Sequence, residues 1–365
     1  MHDPRRHSWQ RPEMLDFRED TARGRAVFAS RAISAGEHLI TEAPLLAMQL
    51  PEAQDAVRAC FHCCRPTGTA SAQLAHVLSS MRPIELPLDE EDDKLSEEIP
   101  CRHGCGVLFC SSSCEEAASE AHALLCKKRR GRRASDAVCE FESHALSTFE
   151  PFLFGARVVC EILARIAKSR HACAVCRDAA ACSACVLHGV ERFAQLCRAP
   201  WWDISDEGVA KGARSRREAR EAAAESRRLL LAALGTEVAN TLAQWLTLEE
   251  WGGLLGAARR NALCIELAHP LADLCPALCE WLDGNPAEGP LARRLSTALE
   301  ALPQPLPQPL WTALYDQISR VNHSCRPCAE VHWLSGEHYE ATLIAKRLIC
   351  AGDEITISVR GQPLA

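Results

Sequence analysis

Leu314-Tyr315-Asp316-Gln317-Ile318-Ser319, followed by Asn322-His323-Ser324-Cys325, is the stretch whose reading decides the fold. Downstream lies an alternating run that ends in Ala351-Gly352-Asp353-Glu354-Ile355-Thr356-Ile357-Ser358. Period-two apolar spacing makes short strands of Ala329 to Trp333, Tyr339 to Ala345 and Glu354 to Val359. A second β-rich segment stands at the other end of the chain: Gly24-Arg25-Ala26-Val27-Phe28-Ala29, then Ile33-Ser34-Ala35-Gly36-Glu37, then Glu42-Ala43-Pro44. Its apolar positions Val27, Ala29, Ile33, Leu39 and Ile40 are broken by a glycine turn at Ala35-Gly36. Taken singly, Gly24 reads as a turn glycine and Asn322-His323 as a capped turn. A large insertion separates the two β-rich ends.

The chain has 365 residues, enough for two or three domains with a sizeable core. A net charge of -7 argues against a nucleic-acid binder acting through its whole surface. Charge is nonetheless segregated, with an acidic run from Asp89 to Glu98 and a basic run from Lys127 to Arg133. The basic run suits a solvated linker, a nuclear-import signal or a nucleic-acid-facing patch. The first residues lack the apolar stretch of a signal peptide, and no apolar run reaches membrane-spanning length. Without secretion signals, 21 cysteines read as thiols or metal ligands, which places the chain in cytoplasm or nucleus. Helical spacing is expected over 137–168 and 206–234. The tandem Leu-Pro-Gln-Pro repeat over 302–309 suits a stiff extended spacer or a ligand for a proline-reading domain.

The cysteines are ordered. Cys60-x2-Cys63, Cys101-x3-Cys105, Cys110-x3-Cys114 and His122-x3-Cys126 make four close pairs. Such pairs point two ligands at one metal, and eight ligands fill two tetrahedral zinc sites with no open position, which is the structural rather than the catalytic arrangement. His103, inside the second pair, could replace one partner. Farther on, Cys173-x2-Cys176 and Cys182-x2-Cys185, flanked by His171 and His188, suit either one more zinc or a thiol-rich loop, since five residues leave little chain to turn the pairs face to face.

Phe109-Cys110-Ser111-Ser112-Ser113-Cys114, seven residues, then His122-Ala123-Leu124-Leu125-Cys126 resembles the MYND zinc finger. The two β-rich ends resemble the halves of a SET domain. A MYND finger between SET halves resembles the SET-and-MYND protein-lysine methyltransferases, and the long gap between Cys63 and Cys101 is similar to their most divergent subtype. The resemblance implies a cross-brace, with Cys60, Cys63, Cys110 and Cys114 on one zinc and Cys101, Cys105, His122 and Cys126 on the other. It also implies an S-adenosylmethionine site contacted by Gly24, Arg25, Asn261, Asn322 and His323, with the last pair at a knot-like crossing of the C-terminal segment.

Where the family's last strand ends in tyrosine, this chain has Val359, so no catalytic residue is assigned. The family's cysteine-rich post-SET segment is absent before Ala365, which leaves Cys325 and Cys328 without the partners they would have there. Tyr315 matches a family position, but one upstream of the motif.

The expectation is therefore an α+β fold. A SET N-terminal part occupies 20–50, an inserted MYND-type finger 57–128, a helical region 135–300 and a SET C-terminal part 311–365. The expected function is S-adenosylmethionine-dependent methylation of lysine in histones or other proteins. The alternative is a catalytically impaired scaffold that binds protein partners, including a peptide, through its finger. A nucleic-acid-binding zinc protein fits the acidic chain less well, and no membrane association is expected.

Overall fold

The computed structural model describes residues 13–20, 24–80, 84–129, 134–176, 182–204, 216–285, 289–333 and 340–358. They fall into two compact units: a terminal unit, made from the chain up to Pro44 and again from Tyr315, and a central unit over Leu45–Leu314. The chain enters the terminal unit with β1 (Leu15–Asp20), β2 (Gly24–Ala29) and β3 (His38–Glu42).

It then builds the central unit. β4 (Leu46–Gln49), α1 (Ala70–Val77), α2 (Glu90–Asp93), β5 (Ile99–Pro100), β6 (Leu108–Phe109) and α3 (Ser112–Leu125) come first. Next are α4 (Ala134–Thr148), α5 (Pro151–Ala172), α6 (Ser183–Ala194), α7 (Arg216–Leu234), α8 (Thr236–Leu242) and α9 (Leu248–Asn261). β7 (Leu263–Glu266), α10 (Leu274–Gly284), α11 (Pro290–Glu300) and β8 (Leu310–Leu314) complete it. The chain returns to the terminal unit with β9 (Asn322–His323), β10 (Ala329–Trp333), β11 (Ala341–Ala345) and β12 (Glu354–Ile357). The fold is α+β, as the sequence predicts.

Two sheets form the terminal unit, in the orders β1-β2-β12-β9 and β10-β11-β3. β1 and β2 pair antiparallel, with Leu15 opposite Ala29. β12 sets Ile355 against Val27 of β2 and lies parallel to β9, with Thr356 beside Asn322. That is the one parallel pair among the described strands. It arises because the chain leaves β9, lays β10 and β11 against β3 in the other sheet, and comes back to β9 with β12.

The central unit departs from expectation at its edges. β4 and β8, expected as margins of the two SET parts, pair with each other and with β7 in one sheet. β7 falls in a region expected to be helical throughout. Its Leu263, Cys264 and Ile265 are all buried, so neither face alternates and the run carries no strand period to read. The helix expected over 137–168 is two helices. Pro151, at the first turn of α5, lacks the N–H that would continue α4.

The main apolar core lies among α4, α5, α7 and α9. Phe149 stacks on Trp201 at 4.3 Å, and Phe152 meets Trp201 edge-on at 5.4 Å. A second cluster joins Ala70 and Leu74 of α1 to Leu278 of α10 and Leu295 of α11. The gap between Cys63 and Cys101 is thus a docked helical segment. Its acidic residues work locally: Asp89 caps α2, Asp93 accepts from the N–H and hydroxyl of Ser71, and Glu98 pairs with Arg58 at 2.5 Å.

Candidate functional sites: a stitched strand crossing and a cysteine-rich finger

In the terminal unit, the carboxamide of Asn322 ties three strands together. Its Nδ2 donates to the Arg25 carbonyl on β2 at 3.1 Å and to Glu354 Oε1 on β12 at 2.8 Å, while its backbone lies in β9. The Ser324 N–H donates to the Ile357 carbonyl and continues the parallel ladder. Gly24 adopts φ +82°, a left-handed conformation that only glycine accepts without strain, and an added Cβ there would meet open space. Arg25 has a buried Nη1 without a hydrogen-bond partner among the described residues. His323 lies one residue along β9, with its Nε2 3.6 Å from the exposed Cys325 Sγ.

Asn261 belongs to the central unit and closes α9. Its Nδ2 donates to the carbonyls of Cys197 and Ala257, and its Oδ1 accepts the Cys197 N–H at 3.0 Å. One amide hydrogen thus ties the Cys197 segment to the helix, and the other bonds back into α9 itself. Val359 and Tyr339 lie outside the described residues, as do Arg130–Arg133 of the basic run. Tyr315 is fully buried, and its backbone N–H donates to Ser319 Oγ.

In the central unit the finger's ligands converge in two groups, Cys60, Cys63, Cys110 and Cys114 in one and Cys101, Cys105, His122 and Cys126 in the other. Within each group the candidate ligand atoms lie within 4.8 Å of one another. Sulfur separations of 3.4 Å (Cys63 to Cys110), 3.6 Å (Cys110 to Cys114) and 4.0 Å (Cys101 to Cys126) bracket the figure for four thiolates at tetrahedral corners around zinc, about 3.8 Å. His122 Nε2 stands 3.2 Å from Cys101 Sγ and 3.3 Å from Cys105 Sγ.

Burial and the neighbouring Arg157 cation push the His122 imidazole down to about 4, so it is neutral, as a metal ligand must be. Thiol hydrogen bonds, chiefly the one shared with Cys114, hold Cys110 down at about 7, while those around Cys63 and Cys114 push these two thiols up. Four such thiols lose all their protons together only when a cation joins them. His103 is outside both groups and offers Cys101 Sγ its backbone N–H instead.

Two comparisons bear on this arrangement. A model of the SET domain matches residues 24–358. The chain belongs to the SET-domain family. The match opens at Gly24 and closes just past β12, so it runs through both units. Among curated proteins, the chain is similar to the protein-lysine N-trimethyltransferase SMYD5 of Gallus gallus (34% identical over 111 residues), of Mus musculus (32% over 111) and of Homo sapiens (33% over 110). Each match covers 29% of this chain and 26% of the relative, so the shared segment spans about a quarter of these proteins.

The SET unit also contains two residues whose structural roles the motif reading does not give. Glu42 is almost fully buried at the end of β3 and accepts the backbone N–H groups of Gln317 (3.0 Å) and Ile318 (2.6 Å), just upstream of Asn322. Burial pushes its carboxyl up to about 7, against the pull of those two N–H groups. Cys328 is buried and accepts the Thr356 N–H at 3.2 Å, a wedge against β12 rather than a surface ligand.

Inside the insertion, Arg157 of α5 donates to the Phe61 carbonyl at 2.9 Å. Its guanidinium lies 3.8 Å from the Phe61 ring, and that ring meets His122 edge-on at 4.9 Å. One buried cation thus fastens the finger to the helices. Arg157→Ala should cost about 2 kcal/mol through the lost cation–π contact and the orphaned carbonyl. The finger should then become the first part of the insertion to gain hydrogen exchange, and unchanged exchange at Phe61 and His122 would contradict this role.

Proposed function

We propose that this SET-family chain is an S-adenosylmethionine-dependent protein-lysine methyltransferase, acting on histones or other proteins, with two structural zinc ions in its finger. The observation that carries the reading is the stitch made by Asn322 across β2, β9 and β12, which brings Gly24 and Arg25 to the Asn322-His323 crossing inside the SET match. The lysine trimethylation for which the similar proteins are named supports it.

The residues present fit the cofactor. Arg25 offers a buried guanidinium N–H lacking a partner among the described residues, suited to a carboxylate, and Gly24 leaves open the space a side chain would fill. When bound, S-adenosylmethionine supplies a methyl group activated on a sulfonium. The chain's part is to hold donor and acceptor in line, exclude water and receive the lysine as a neutral amine. Gly24, Arg25, Asn322 and His323 are the residues assigned to hold the donor, with Asn322 also fixing the Arg25 backbone. The two finger groups are closed four-ligand sets, so their zinc would be structural.

Calorimetric titration of the zinc-loaded protein with S-adenosylmethionine tests the proposal. One saturable site is expected, weakened roughly tenfold by Asn322→Ala, the equivalent of about one lost hydrogen bond. No binding by a folded, zinc-loaded protein would overturn the reading.

A further inference from the structure

Outside the finger, four more cysteines converge. Cys173, Cys176, Cys182 and Cys185 bring their sulfurs within 4.8 Å of one another. Cys176 and Cys185 stand 3.5 Å apart, Cys182 and Cys185 3.6 Å, and Cys173 and Cys182 4.0 Å. These separations are far beyond a disulfide, about 2.05 Å. They match the corners of a zinc tetrahedron, about 3.8 Å apart, as closely as the finger's own groups do. We infer that these four thiolates form a metal site separate from the finger, holding one zinc ion that clips the end of α5 to the start of α6.

The local structure supplies the two knuckles. Cys173 caps the C-terminus of α5, and the following turn brings Cys176 back toward it. Backbone N–H groups of Val175 and Cys176 point at the Cys173 sulfur, and that of Cys185 at the Cys182 sulfur. Cys182 is the N-cap of α6 and Cys185 lies in its first turn. The spacer that looks too short in the sequence suffices because the second knuckle is the start of a helix, whose positive end also favours thiolates.

The flanking histidines take no part. His171 is exposed, and His188 Nδ1 is 3.3 Å from Glu191. The four-sulfur set is closed, with Cys176 and Cys185 buried. A closed set of four cysteine ligands is a structural zinc site, not a catalytic one.

The clip has something to hold. α6 packs along α5 at Gly189, where an added Cβ would come within 2.4 Å of Ile166 Cγ1. Its buried residues are only Cys185, Gly189 and Phe193, and a helix of 12 residues is marginal by itself. A metal at the turn of this helix pair fixes its register.

The test is zinc content by mass spectrometry on the full chain purified with zinc, beside a Cys182→Ser/Cys185→Ser variant and with an alkylation footprint of both. The variant should carry one zinc ion fewer per chain while the finger cysteines stay protected. In the wild-type protein, Cys173, Cys176, Cys182 and Cys185 should resist iodoacetamide until a chelator is added, whereas the exposed Cys139 and Cys279 react at once. Equal zinc content in the two proteins would overturn the inference. So would alkylation of the four thiols at the rate of Cys139 in zinc-loaded wild-type protein, or a disulfide among them; these readings hold even where the variant fails to fold. None of these outcomes depends on cofactor binding or methyl transfer.

Discussion

Cys110→Ser, or exhaustive chelation, is expected to open the whole finger rather than to loosen one corner of it. The apolar material there is scant. Apart from its own cysteines, the buried cluster contains Phe109 and Ala118, whose burial stabilises by about 3 kcal/mol. A structural zinc site contributes an apparent 10–16 kcal/mol, roughly, to folding. With zinc bound as proposed, the metal and not apolar burial would be the core of this subdomain.

α3 couples the two groups, because Cys114 lies in its first turn and His122 in its last. Loss of the first site frees the helix that presents a ligand to the second. Both zinc ions should leave together on titration with a chelator, and hydrogen exchange should rise across 60–63 and 99–126, while α1 stays protected by its contacts with α10 and α11 and α5 and α9 by the aromatic core. A variant that keeps one full equivalent of finger zinc, with α3 protected, would refute the coupling.

Glu42→Ala should destabilise the SET unit by about 3 kcal/mol, because two buried backbone N–H groups lose their acceptor. The conservative Glu42→Gln change tests the electrostatics. The folded carboxyl titrates near 7, above the 4.5 of an unperturbed glutamate. The native state therefore binds more protons than the unfolded chain between those values, and stability falls as pH rises through that window. The contribution present below pH 4.5 amounts to about 3 kcal/mol and is gone above pH 7. Asp316, close by, adds to the shift, while Arg320, paired with Asp316 at 2.6 Å, opposes it.

Glu150 also titrates near 7, through burial and the neighbouring Glu52, so the wild-type profile alone is ambiguous. The difference between Glu42→Gln and wild type isolates Glu42, and it should grow in the variant's favour from pH 4.5 to 7. A constant difference in chemical unfolding across that range would sink the assignment.

What the sequence yields and withholds follows from the range of each interaction. The finger's four ligand pairs come straight from spacing, since a short knuckle aims its ligands whatever lies around it, whereas their interleaving into two groups is implied only by the resemblance to the MYND finger. The terminal strands are legible because their apolar residues alternate and glycines mark the turns at Gly36 and Gly352. Asn261 is different: whether its amide faces a ligand or the Cys197 backbone depends on a segment far away in the chain. Glu42 looks like an ordinary polar strand end until Gln317 and Ile318 are laid against it. The acidic run shows in the sequence only as segregated charge, because the caps and pairs it makes with Ser71 and Arg58 carry no periodicity.

The pairing of β2 with β12 also sets an order of assembly. During synthesis the β1–β2 hairpin emerges ahead of the insertion, yet the strand that completes its sheet emerges only after it. Residues 45–314 have all left the ribosome by then, and they belong to a compact unit of their own. The insertion can therefore be finished while the SET sheet still waits for its partners, with an unpaired edge on β2. Once folded, the insertion holds its own two ends together through the β4–β8 pair, so the loop left to close is short and β12 joins β2 at little further cost in chain entropy. A chaperone that shields the Gly24–Ala29 edge would act on this chain late in translation, and chains released before β12 emerges would carry a folded insertion between two SET halves unable to join.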